Sequence, residues 1–209
     1  MNHLDQKKIN DYKLEYFADD INKIIKKEKI KKFVIIGHCF GGVIASIYQN
    51  KYKKAKGAIL IASTYKSPKR LKAIIPVLGL FNYFLSNYLP DKNLYNRKSF
   101  DDFINTGDYN PKRIFTDILN TSPKSYSATF YQFNKYNGEK ILPKINIPVL
   151  IISGENDTIF NLKYAEKIAK LIKKSKLEII EHTNHILIIN YPQKITKLII
   201  KFLNGLLKK

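Results

Sequence analysis

The chain has 209 residues, 44% of them hydrophobic, and 37 Lys and Arg against 17 Asp and Glu give it a net charge of +20. This length and apolar content suit a globule with one sizeable core and exclude a disordered tail. A single cysteine excludes an intramolecular disulfide and points away from an oxidising compartment, so a cytoplasmic setting is expected.

The opening stretch, MNHLDQKKINDYK, has no apolar run after its charges and does not read as a secretory signal; His3 belongs to an end expected to fray. Residues Tyr16–Lys27 place Phe17, Ile21, Ile24 and Ile25 on one stripe and end in lysines, the pattern of an amphipathic helix. Lys32–Gly37 follows as a short apolar strand, Gly41–Tyr52 as a helix with a small-residue start, and Gly57–Ser63 as a second apolar strand. The span 64–145 is irregular, aromatic and punctuated by prolines. Its greasiest part, Ala73–Leu89, is broken by Pro76, Gly79, Asn82 and Asn87. It falls short of the roughly 20 residues of a membrane span, so a buried or surface-lying helical piece is expected.

Pro148–Ser153 reads as a third strand, Leu162–Lys173 as a helix, and Leu177–Ile180 as a fourth strand. Pro192–Leu207 closes the chain as a helix with Ile195, Leu198, Ile199, Phe202 and Leu203 on one side. Apolar strands alternating with helices predict an α/β fold, a parallel sheet with helices on both faces. The stretch between the second and third strands is too long for a plain crossover, which predicts a core of 1–63 and 146–209 with 64–145 as an inserted helical cap over the strand ends.

Lysine is spread along the whole chain, and KKEKIKK (26–32) and KLIKKSK (170–176) sit where solvated helix ends belong. Without zinc-ligand spacing, an RNP-like strand or a recognition helix, the charge reads as a lysine-rich surface, and no nucleic-acid partner is expected.

The residues that carry chemistry lie at strand ends. Gly37-His38-Cys39-Phe40-Gly41 joins a strand directly to a helix. A residue at such an elbow has strained dihedrals and a side chain clear of the backbone, while Gly37, Gly41 and Gly42 allow strand and helix to approach. The N–H of Phe40 points to where an oxyanion would develop, and the helix start behind Cys39 favours a thiolate. A buried, inert thiol is the alternative reading of Cys39.

A nucleophile needs a base, and the base needs an orienting group. Asp157 lies in SGENDTI after the third strand, and His185 in EHTNHI after the fourth. In a parallel sheet all three loops share one edge, so Cys39, Asp157 and His185 can converge. Glu155 is the second choice of acid, and His182, too close behind its strand, the second choice of histidine. His38 either lines the pocket or fills the elbow.

GHCFGG, GENDTIF and HTNH resemble the nucleophile elbow, acid loop and histidine loop of the α/β-hydrolase superfamily, with cysteine in place of the usual serine. The resemblance runs from about Tyr12 to Leu207, with 64–145 in the place of the family's cap. It implies that Cys39 is the nucleophile, Asp157 the acid and His185 the base, with Phe40 giving one oxyanion donor. Cysteine nucleophiles in a G-x-C-x-G box occur in relatives such as dienelactone hydrolases and polyhydroxyalkanoate synthases. The implied activity is hydrolysis of a carboxylic ester or thioester of a small-molecule acyl substrate through an acyl-enzyme, with no cofactor or metal. The alternatives are acyl transfer by the same triad, or a non-catalytic interaction module that keeps the site as a relic. Aromatic residues of the cap, among them Phe81, Tyr83, Phe84, Tyr88, Phe130, Tyr131 and Phe133, either line an acyl pocket or pack the cap itself.

The chain departs from the family at its front. Family members have several strands, and the loop that gives the second oxyanion donor, before the strand leading to the nucleophile. The strand 33–36 is therefore expected at the edge of an N-terminally shortened sheet, open to a homodimer mate or another partner chain.

Overall fold

The computed structural model describes residues 9–68 and 101–208. His3, the Ala73–Leu89 run and the aromatics Phe81, Tyr83, Phe84 and Tyr88 lie outside them. Strands β1 (Val34–His38), β2 (Gly57–Ile61), β3 (Val149–Gly154) and β4 (Ser175–Ile180) form one parallel sheet in the order β1-β2-β3-β4.

β2 and β3 are buried along their whole length, and their alternate residues face opposite layers. Ala58, Leu60, Val149 and Ile151 join a cluster with helices α1 (Leu14–Lys27) and α2 (Phe40–Tyr52). Ile59, Ile61, Leu150 and Ile152 join a second cluster on the other face. Near-continuous apolar strands are what a doubly covered parallel sheet requires.

The inserted segment contributes α3 (Pro111–Thr121) and α4 (Pro123–Phe133), each with proline at the first helical position and a side-chain N-cap from Asn110 or Ser122. Phe133, Tyr136, Leu142 and Ile145 pack into the first core cluster, so the end of this segment is built into the core. Helix α5 (Leu162–Leu171) follows β3 and adds Ala165 and Ile168 to that cluster. After β4 come the short α6 (Leu187–Asn190) and α7 (Pro192–Leu207), whose Ile195, Leu198, Ile199 and Phe202 cover the second face.

Two expectations need correction. Ile24 is not on the buried stripe of α1; it is 58% exposed, and Phe17, Ile21 and Ile25 do the packing. The stripe is narrower because α1 lies over the end of the sheet, where β1 has no outer neighbour among the described residues.

β1 pairs only with β2 among the described residues. Lys56 donates to the carbonyl of Phe33 and Cys39 to that of Ile61, so the odd residues of β1 turn toward β2. Val34, Ile36 and His38 therefore aim their backbone groups outward, and Ile36 is 48% exposed.

The second correction concerns the elbow glycines. A Cβ on Gly37 would stand 2.2 Å from the carbonyl oxygen of Gly41, and one on Gly42 would stand 2.4 Å from Ser63 Oγ. A Cβ on Gly41 would meet nothing within 4 Å, because that position faces the open groove beside Ile36 and Phe17. Only Gly37 and Gly42 answer to close approach. Gly37→Ala should therefore cost about 3 kcal/mol or more, since the obstacle is backbone. Gly41→Ala should be neutral or stabilising by up to ~1 kcal/mol through helix propensity. Urea midpoints of the two variants check the contrast.

Candidate active site

Cys39 sits between β1 and α2 with φ 51° and ψ −116°, a left-handed conformation rarely taken by a non-glycine residue. Three hydrogen bonds hold it there. Its N–H donates to the Ile61 carbonyl at 2.8 Å, and its own carbonyl accepts from Gly42 N–H at 3.1 Å and Ser63 Oγ at 3.2 Å. The Phe40 N–H, at the first position of α2, has no hydrogen-bond acceptor among the described residues. It is thus available to a ligand atom beside the thiol.

Asp157 and His185 are both 3% exposed. His185 Nδ1 lies 2.8 Å from Asp157 Oδ2, while Oδ1 of the same carboxylate accepts from Ile159 N–H at 2.9 Å and Phe160 N–H at 2.7 Å. The acid is thereby fixed in one rotamer with one oxygen free for the imidazole. With Nδ1 committed to Asp157, the ring has Nε2 left for the cavity it shares with Cys39, whose side chain acts electrostatically on the imidazole. Phe160 meets the His185 ring edge-on, with centroids 5.3 Å apart.

Close approach of the acid and histidine loops depends on Gly154. A Cβ there would stand 2.5 Å from the Thr183 carbonyl oxygen and 2.7 Å from that of Asn184.

The backbone of His185 is held as firmly as its ring. Its N–H donates to Asp108 Oδ1 at 2.7 Å, and its carbonyl lies 3.1 Å from His38 Nε2. A carbonyl can only accept, so His38 carries its proton on Nε2. His38 therefore does fill the elbow, and from there it fastens the histidine loop; it also lines the cavity.

Asp108, 6% exposed, comes from the inserted segment. Its second oxygen accepts from Thr158 N–H at 2.8 Å and Thr158 Oγ at 2.6 Å. One carboxylate thus ties the acid loop to the histidine loop.

The runners-up are elsewhere. Glu155 Oε2 accepts from His182 N–H at 2.9 Å and lies 3.6 Å from His182 Nδ1, at an exposed surface position. Tyr131 faces Lys135, whose ammonium lies 4.6 Å from the ring centroid, and does not line the cavity, whereas Phe130 and Phe133 do. That cavity has a volume of about 620 Å3 and opens onto Cys39 and His185. Among the described residues no group of three His, Cys, Asp or Glu side chains could hold a metal ion.

Sequence reasoning missed Asp108, Thr158 and Gly154. Asn110-Pro111 marked a helix start, but nothing local signalled that Asp108 two residues earlier reaches loops some 50 and 77 positions away. Gly154 carried a visible signal, a glycine closing an apolar strand.

The two histidines titrate in opposite senses. Burial is the largest influence on His185 and opposes its charge, yet the hydrogen bonds to Asp157 and Cys39 outweigh it and hold the imidazole up at about 10. This contribution to stability is complete below pH 6.5 and is lost as pH rises through about 10. His38 is driven down to about 4, first by burial and then by the charge of His185 beside it, the ring centroids being 5.3 Å apart. Unfolded His38 takes up a proton below pH 6.5 while the folded residue resists until about 4, so stability falls across that window as pH falls. The loss is about 3 kcal/mol when complete. His38→Gln, which keeps a donor for the His185 carbonyl, should remove most of it, as read by urea denaturation at a series of pH values between 7 and 4.

The chain matches the family described as alpha/beta hydrolase fold over residues 2–192. A proline iminopeptidase of Saccharolobus solfataricus is 24% identical over 208 aligned positions, covering 86% of this chain and 65% of that protein. An esterase structure from Thermogutta terrifontis superposes with a TM-score of 0.69 at 21% identity, covering 93% of this chain and 73% of the other. An esterase from Exiguobacterium antarcticum gives a TM-score of 0.70 at 18% identity, covering 92% and 74%. The chain spans 59% to 66% of the length of the curated relatives it matches.

Proposed function

The chain belongs to the α/β hydrolase fold family, and we propose that it hydrolyses carboxylic esters or thioesters through a Cys39-Asp157-His185 triad. The observation that carries this reading is the hydrogen bond between Asp157 and the buried His185 ring, with Cys39 on its strained elbow lining the same cavity as that ring.

In this reading the Cys39 proton passes to His185 Nε2, and Asp157 steadies the imidazolium that results. A high affinity of His185 for that proton supports the direction of transfer. The thiolate adds to the acyl carbonyl, and the developing oxyanion accepts a hydrogen bond from the Phe40 N–H. Collapse expels the alkoxide or thiolate, which takes its proton from His185 Nε2. Water, deprotonated by the same nitrogen, then attacks the acyl-enzyme and frees the acid and the Cys39 thiol.

Segment 64–145 serves as the cap over the acyl pocket, and a cytoplasmic setting suits an enzyme that depends on one reduced thiol. Acyl transfer differs only in the nucleophile that resolves the intermediate.

Incubation with 4-nitrophenyl acetate should release one equivalent of nitrophenol in a burst, with a mass gain of one acetyl group on Cys39. Cys39→Ala and His185→Ala should each cut the burst rate by about 1,000-fold or more. Sluggish acetylation unchanged in His185→Ala would instead mark an inert relic.

The same reading includes a second copy of the chain along the edge of β1 that no strand covers among the described residues. An edge strand can pair with its own two-fold mate and cover Ile36 on both copies. Sedimentation velocity should show a dimer that Ile36→Lys dissolves; a monomer at every concentration overturns this.

A further inference from the structure

The wall of the cavity in front of Cys39 carries one guanidinium that the triad does not use. Its wall is largely apolar and aromatic, with Ile114, Phe130 and Phe133 among its residues, and Arg113 of α3 is set into that wall. One Nη of Arg113 donates to the Asp108 carbonyl, while Nε is buried without a hydrogen-bond partner. No ion pair of Arg113 is present among the described residues.

The acids nearby do not satisfy it. Both oxygens of Asp108 are taken by His185 N–H and by Thr158, and Asp117, on the same wall, has an interaction of its own. The charge of Arg113 is nevertheless felt in the cavity, since it bears on both His38 and Tyr126.

A guanidinium whose Nε–H is buried without a partner is costly, and Arg113 carries this charge on the wall of the cavity that Cys39 also lines, with no ion pair among the described residues. Its planar fork, with one Nη already anchored, matches a carboxylate better than a point acceptor.

We propose that Arg113 is the subsite for a second carboxylate on the acyl group, so that the preferred substrate is a monoester or monothioester of a dicarboxylic acid. The methylene chain lies along the apolar wall, the scissile carbonyl reaches Cys39, and the distal carboxylate closes on Arg113. This rests on the acyl-enzyme reading of Cys39 for turnover, but binding of the distal carboxylate does not.

The test compares 4-nitrophenyl hydrogen adipate with 4-nitrophenyl hexanoate, which have six-carbon acyl groups ending in carboxylate and methyl. In the wild-type protein kcat/KM should favour the adipate ester. Arg113→Gln keeps a donor for the Asp108 carbonyl. It should lower kcat/KM for the adipate ester by about 30-fold while changing the hexanoate ester less than about 3-fold. Arg113→Lys should restore part of the preference.

Titration calorimetry with free adipate reads the subsite without chemistry, and binding should be seen in the wild type and in Cys39→Ala and be lost in Arg113→Gln. If neither ester turns over but adipate still binds through Arg113, the acyl-enzyme reading fails and the subsite stands. A wild-type preference for hexanoate, equal losses on both esters, or no Arg113-dependent adipate binding overturns the subsite.

Discussion

The site depends on the immobilisation of one residue, His185. Its backbone N–H is held by Asp108, its carbonyl by His38, and its ring by Asp157, with Cys39 lining the same cavity. These partners come from the inserted segment, the end of β1, the loop after β3 and the β1–α2 elbow. A buried imidazole could adopt many rotamers on a loop; fixing both backbone groups leaves it the one orientation in which Nδ1 and Nε2 meet different partners. The low dielectric of the setting then strengthens each of these bonds, and it makes a missing one expensive. His38 donates here from Nε2, and burial beside a charged neighbour keeps its ring neutral.

The elbow meets the other half of the requirement, a thiol that stands clear of its own backbone. Strand and helix approach so closely that Gly37 has no room for a side chain against the Gly41 carbonyl, and Gly42 none against Ser63. That tight approach forces the reversal of direction onto Cys39 itself. Its strained φ of 51° survives because both of its backbone polar groups are satisfied by β2 and by the loop behind it. The strain would be of order 1–3 kcal/mol for a non-glycine residue. It is tolerated at the point where it aims Sγ at the cavity and leaves the Phe40 N–H without a partner.

Elements that depend on local pattern were readable from the chain alone. The four strands, the helices between them and the C-terminal helix follow from apolar runs and 3.6-residue stripes, and α7 begins at Pro192 and ends at Leu207 as its pattern predicts. The convergence of Cys39, Asp157 and His185 was readable because each lies on the segment leaving the end of a strand, and a parallel topology makes those ends neighbours. Ile24 shows the limit: its spacing fits the stripe, but whether a stripe position is covered depends on how far the sheet extends beneath it. Gly41 shows another, since glycines one residue apart look alike in sequence while only the structure tells which one faces a backbone. Asp108 was not legible at all, because its importance lies in which two distant loops its carboxylate reaches.

Asp108 also links two functions that are usually discussed apart. Its side chain sets the position of the histidine, while its carbonyl accepts the guanidinium of Arg113, one short turn away on the cavity wall. Any movement of this segment that displaced Arg113 would pull on the same residue that holds His185 and Thr158. The wall of the cavity and the hydrogen-bonded pair of Asp157 and His185 therefore share one anchor, Asp108.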